Sequence, residues 1–124
     1  MANRTMRRAV AALAATALAG AMLAPAAPAH VQIIKTNPSG SAKTTQRSVS
    51  ILFSGPIRSG TLKVFGPDGS KASKGSGGRD PRNVDRLLVG LKSGLKAGTY
   101  TAKAKWIAAD GHHQEENFSF KLKK

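Results

Sequence analysis

Thr99-Tyr100-Thr101-Ala102-Lys103-Ala104-Lys105-Trp106-Ile107-Ala108 alternates for ten residues. Tyr100, Ala102, Ala104, Trp106 and Ala108 fall on one side of an extended chain, and Thr101, Lys103 and Lys105 on the other. Period-two alternation marks a strand with one face in a core and one in water. Shorter runs of the same kind lie on either side. Val31 to Lys35 ends at Asn37-Pro38-Ser39-Gly40. Ser48 to Phe53 sets Val49, Ile51 and Phe53 on one face and closes at Gly55-Pro56. Thr61 to Phe65 runs into Pro67-Asp68-Gly69, Val84 to Leu91 is a further run, and Asn117 to Leu122 aligns Phe118, Phe120 and Leu122. No segment after residue 29 sustains a helical period. Lys71 to Arg82 holds Gly75, Gly77, Gly78 and Pro81 and no large apolar residue, so a mobile surface connection is expected there. Its glycines do not follow a phosphate-loop spacing. Six or seven short strands at this spacing define an all-β domain, a sandwich or a small barrel.

The chain has 124 residues, a length for one domain. It contains no Cys, which excludes a disulfide scaffold, a Cys-based zinc site, an iron–sulfur cluster and a thiol nucleophile. Histidine chemistry is confined to His30, His112 and His113.

The first residues read as an export signal. Arg4, Arg7 and Arg8 precede an uncharged apolar run from Ala9 to Ala24, followed by Pro25-Ala26-Ala27-Pro28-Ala29. A basic head, a short apolar stretch and small residues form the layout of a secretory signal peptide. The run of 16 residues is short for a spanning helix, which needs about 20. Two A-x-A sites are present. Cleavage after Ala29 makes His30 the new N-terminus, and cleavage after Ala26 leaves three residues ahead of it. The first is preferred because a strand-like pattern begins near His30. The expected boundaries are therefore a signal peptide over 1–29 and a domain over 30–124, exported to the periplasm or beyond. The exported part retains 17 basic and 6 acidic residues and loses every Met.

Asp110-Gly111-His112-His113 follows the long alternating strand directly. Taken alone, it is a turn with solvated histidines. A terminal His30 changes its meaning. The α-amine and imidazole Nδ1 of one residue close a chelate ring on a metal. Adding the carboxylate of Asp110 and the imidazole of His112 makes an N,N,N,O donor set. Tetragonal N/O coordination suits Cu(II), which tops the divalent affinity order. Zn(II) can take the same atoms in a tetrahedron, whereas Ca(II) and Mg(II) require more oxygen ligands.

Together these residues resemble the CopC-type periplasmic copper-binding proteins. The resemblance rests on Ala29-His30 with Ile33, Thr36 and Pro38; on Phe53-Ser54-Gly55-Pro56-Ile57; on Gly98-Thr99-Tyr100; on Asp110-Gly111-His112; and on Phe118-Ser119-Phe120. It implies an immunoglobulin-like, Greek-key β-sandwich of about seven strands. It also implies a Cu(II) site made by the amine and imidazole of His30, Asp110 and His112, with a CopD-type membrane copper transporter as partner. Where the family usually has Trp, four residues after the Tyr, Ala104 stands here. Trp106 lies two residues on, on the same face, which is expected to repack the core and keep the site. The family's Pro after the Asp-Gly-His is His113, and its Gly before the last strand is Glu116. Without Met after residue 29, a Met-rich Cu(I) site is excluded. His113, Glu115 and Glu116 are either additional weak ligands or a polar loop.

A net charge of +11 on the exported part favours polyanions such as anionic lipid or wall polymers. The basic residues match no nucleic-acid module, and the aromatics occupy core-like positions, so no nucleic-acid partner is expected. Two competing functions follow. One is a basic immunoglobulin-like module binding anionic polymers without metal. The other is a copper oxidase or polysaccharide monooxygenase, which would need a second opposing imidazole and an aromatic-rich substrate face. The leading expectation is a non-enzymatic Cu(II)-binding protein of copper homeostasis.

Overall fold

The computed structural model describes residues 31–124, which contain eight strands and no helix. They are β1 (Ile33–Asn37), β2 (Ser41–Lys43), β3 (Ser48–Phe53), β4 (Ile57–Phe65), β5 (Ser73–Asp80), β6 (Asn83–Leu91), β7 (Gly98–Ala108) and β8 (His113–Lys123). Two four-stranded sheets, ordered β1-β3-β6-β5 and β2-β8-β7-β4, form a sandwich. Every pairing is antiparallel except that of the three-residue β2 with β8.

Alternation along the strands builds the core. On β7, Tyr100, Ala102, Ala104, Trp106 and Ala108 are buried, as their spacing predicts. All but Ala108 meet Val49, Ile51 and Phe53 of β3, Leu62 and Val64 of β4, and Leu87, Val89 and Leu91 of β6 in one cluster. Each fully buried Val, Leu, Ile or Phe stabilises the fold by about 1.5–3 kcal/mol relative to exposure. Trp106 packs its ring 4.7 Å from that of Phe53. Trp106 and Ala104 are both buried in the core. Tyr100 stacks on Phe120 at 5.8 Å, and its hydroxyl donates to the Lys96 carbonyl at 2.6 Å. Burial pushes the Tyr100 hydroxyl above its ordinary pKa.

One expectation is overturned. Within Lys71–Arg82, Ser73–Asp80 is not a loop but β5, paired with β6. An edge strand has only one neighbour and can be assembled with little apolar surface. Only its end residues Ser73 and Asp80 are buried, together with Ala72 just before it. The Ser73 hydroxyl accepts the Val64 N–H at 3.0 Å, tying this edge to the opposite sheet. Gly77 has φ +63°, and a Cβ there would lie 2.5 Å from the Leu88 carbonyl oxygen, so the close approach to β6 needs a glycine. Two strands also begin four residues earlier than their apolar patterns suggest: β4 at Ile57 and β8 at His113.

Candidate metal site

The tip of the β7–β8 hairpin is a tight turn. Ala108 N–H donates to the His112 carbonyl at 2.9 Å, and Gly111 N–H to the Ala108 carbonyl at 2.9 Å. Gly111 has φ +95°, a conformation that disfavours any side chain. The turn folds Asp110 back on His112. Asp110 Oδ1 accepts the His112 backbone N–H at 3.1 Å, and Oδ2 lies 3.0 Å from His112 Nδ1. The backbone N–H is the main reason the Asp110 carboxyl titrates below its ordinary value, with the nearby imidazole adding to it. An ionised carboxylate can only accept, so Nδ1 carries the hydrogen in this contact. The contact keeps the carboxylate and the imidazole side by side at the tip of the turn. Solvent reaches both groups, the side chains being 55% and 39% exposed for His112 and Asp110.

Two further groups frame the turn. Between Ile57 and Ser59 the β4–β7 register shifts by one residue, leaving Arg58 as the extra residue of a bulge. Bulges re-aim side chains, and Arg58 Nε donates to the Ala109 carbonyl at 3.0 Å. On the other side, Val31 is held by Gln114 of β8. Val31 N–H donates to Gln114 Oε1 at 3.3 Å, and Gln114 Nε2 donates to the Val31 carbonyl at 3.4 Å. A cavity of about 500 Å³ lies where β1 meets β8, lined by Val31, Gln32, Ile33, Trp106, Gln114 and both Glu115 and Glu116.

Asp110 and His112 are therefore brought together as the sequence suggests. His30 lies outside the described residues, as do both candidate cleavage points. Among the described residues no three His, Cys, Asp or Glu side chains gather closely enough to hold a metal. Asp110 and His112 bring one carboxylate and one imidazole together. His113 is the first residue of β8, opposite Ile107, and thus in a strand rather than the expected loop. Glu115, paired with Lys105, shares its side of the sheet, and both are exposed. Sequence reasoning overlooked Arg58, Val31 and Gln114. No local pattern marks them, because each acts on a segment far away in the chain.

The chain is thus a two-sheet β-sandwich with an Asp-Gly-His turn between β7 and β8. Residues 33–123 match the model of the CopC domain, and the chain belongs to that family. It is 26% identical over 110 residues to Protein YobA of Escherichia coli strain K12, covering 86% of this chain and 89% of that protein. The Shigella flexneri Protein YobA matches to the same extent. In fold it is similar to CopC from Methylosinus trichosporium OB3b, with TM-score 0.62, 20% identity, and coverage of 75% of this chain and 93% of that one. It is also similar to PcoC, a methionine-rich copper resistance protein from Escherichia coli, with TM-score 0.59, 23% identity, and coverage of 77% and 100%. Residues 31–124 contain no Met, so a methionine-rich site has no counterpart there.

Proposed function

We propose that the protein is an exported Cu(II)-binding protein of copper homeostasis and resistance, which carries copper without transforming it. In this reading a signal peptide over 1–29 is removed between Ala29 and His30, releasing the domain to the periplasm or the cell exterior. The α-amine and imidazole of His30, the carboxylate of Asp110 and the imidazole of His112 hold the ion. A CopD-type membrane transporter is the recipient or donor of the copper.

One observation carries the reading. The Asp110–His112 pair, with its imidazole oriented by the carboxylate, sits two residues from Gln114, which grips Val31. His30 directly precedes Val31 in the chain. Membership of the CopC domain family points the same way. The donor set is rich in nitrogen and has no thiolate or thioether, which favours Cu(II) over Cu(I). The competing reading, a basic module that binds anionic polymers without metal, is supported by the net charge alone.

A Cu(II) titration of two chains tests the proposal, one starting at His30 and one with a single residue added before it. Circular dichroism serves as the folding control. One-to-one binding that weakens sharply in the extended chain is expected. Equal affinity in both would remove the amine from the ligand set, and no tight binding in either would leave the metal-free module.

A further inference from the structure

The face of the β2-β8-β7-β4 sheet turned away from the core carries an unbalanced array of lysines. Lys43 of β2, Lys63 of β4, Lys103 and Lys105 of β7, and Lys121 and Lys123 of β8 are all exposed. The register places Lys63 directly opposite Lys103 and Lys43 directly opposite Lys123. Like charges in direct cross-strand positions are destabilising. The acid on this face is Glu115, paired with Lys105. Among the described residues none of the six lysines forms an ion pair; the ion pairs there join Arg86 to Asp80 and His112 to Asp110. Lysines on edge strands can be explained as guards against aggregation. That reason covers β2 and β4 but not the four lysines on the inner strands β7 and β8.

We infer that this face docks on the surface of an anionic phospholipid bilayer. The charges spread in two dimensions, about 14 Å across four strands at roughly 4.8 Å spacing and about 27 Å along them. That matches a plane of headgroups better than a single linear polymer. Thr61, Thr101, Asn117 and Ser119 stand among the lysines and can donate to phosphate oxygens. A hollow of about 300 Å³ opens on the face among Thr61, Lys63, Phe65, Lys103, Lys105 and Asn117, with Glu115 also on its wall. It brings three ammonium groups and two neutral donors around a space of headgroup size. The other sheet differs. Arg79 and Arg86 there are engaged with the Ile57 carbonyl and with Asp80, and its exposed Lys35 and Lys74 lie on β1 and β5, at opposite edges of that sheet. The inference stands apart from the proposed copper chemistry, since it involves neither Asp110 nor His112.

The test is sedimentation of the chain beginning at His30 with vesicles at about 0.15 M salt, where exposed charges are screened beyond roughly 8 Å. One vesicle is pure phosphatidylcholine and the other contains phosphatidylglycerol. A triple variant, Lys103→Gln, Lys105→Gln and Lys121→Gln, removes charge from the face. A control triple, Lys71→Gln, Lys74→Gln and Lys92→Gln, removes the same charge elsewhere. Binding to the anionic vesicle only is expected. A lysine near such a surface contributes about a fivefold gain, so the face variant should lose about a hundredfold while the control changes little. Thermal melting confirms that both variants remain folded. Equal losses in the two variants would reduce the effect to net charge and overturn the inference. So would absence of vesicle binding, including the case where the protein binds soluble poly(glycerol phosphate) instead.

Discussion

Val31 and Gln114 are 83 residues apart and exchange two hydrogen bonds, the backbone of one with the side-chain amide of the other. The amide acts as donor and acceptor at once, so it fixes both position and orientation of the entering chain. Gln114 also pairs in register with Trp106, the single tryptophan of the protein. Replacing Gln114 with Ala is expected to loosen Val31 and weaken Cu(II) binding by about 10–100-fold, the usual cost of losing a group that orients a ligand. Titration followed by quenching of Trp106 fluorescence measures the loss. Unchanged affinity would mean that the position of Val31 does not matter to the site.

His112 and His113 are neighbours with different surroundings. His112 is held by Asp110, whereas His113 starts β8 opposite Ile107. His112→Ala is expected to weaken Cu(II) binding far more than His113→Ala, and Asp110→Asn to fall on the His112 side. A competition assay with a coloured chelator ranks the three. If His113→Ala proved the most damaging, the ligand set would be wrong.

Arg58 reaches the turn only because a bulge lies between Ile57 and Ser59. Its hydrogen bond to Ala109 restrains the turn without touching the proposed donors. Arg58→Ala should cost about 1 kcal/mol or less of stability, as for an exposed hydrogen bond, while lowering Cu(II) affinity severalfold. Urea unfolding and copper titration on the same sample separate the two effects.

Acid acts on the site through its nitrogens first. The Asp110 carboxyl is held below its ordinary value of 3.8 because the His112 N–H binds its charged form. Its folded pKa lies below its unfolded one. The contribution of this bond to stability is therefore present above the unfolded value and is lost as pH falls through the folded one. The proposed nitrogen ligands must shed their protons to bind the ion. Cu(II) affinity is expected to fall as pH is lowered while Asp110 is still ionised. Titrations at stepped pH, with NMR of the carboxyl carbon, check both halves. A drop beginning only near pH 4 would point to a carboxylate-dominated site.

Gly60 on β4 faces Trp106 on β7 with no room for a side chain. A Cβ there would lie 2.7 Å from the Lys105 carbonyl oxygen, 2.9 Å from Leu87 Cδ1 and 3.1 Å from Trp106 Cβ. Gly60→Ala should destabilise the sandwich by about 1–3 kcal/mol through overpacking. A lowered melting temperature is the expected reading.

Much of the architecture was legible where strands bury one face. The alternation on β7 names the five residues that line its core side, and Val49, Ile51 and Phe53 do the same for β3. It failed at β5, an edge strand that contributes little to the core and whose glycines resemble a loop. It also missed the outer ends of β4 and β8, where the exposed Arg58, Ser59, His113, Glu115 and Glu116 break the apolar pattern although Ile57 at the start of β4 is buried in the core. Asp110, Gly111 and His112 were readable as a unit because their relation is local, spanning three residues.

By itself the amino-acid sequence determined the strand periodicity, the absence of thiol chemistry, the excess of positive charge and the Asp-Gly-His turn. These follow from residue identity and near-neighbour spacing. Only the tertiary structure decided that β1 pairs with β3, that Gln114 grips Val31, that Arg58 braces the turn, and that six lysines share one sheet face. Each of these depends on the register between strands distant in the chain. Register is set by how two faces pack around a common core, which no local stretch of residues specifies.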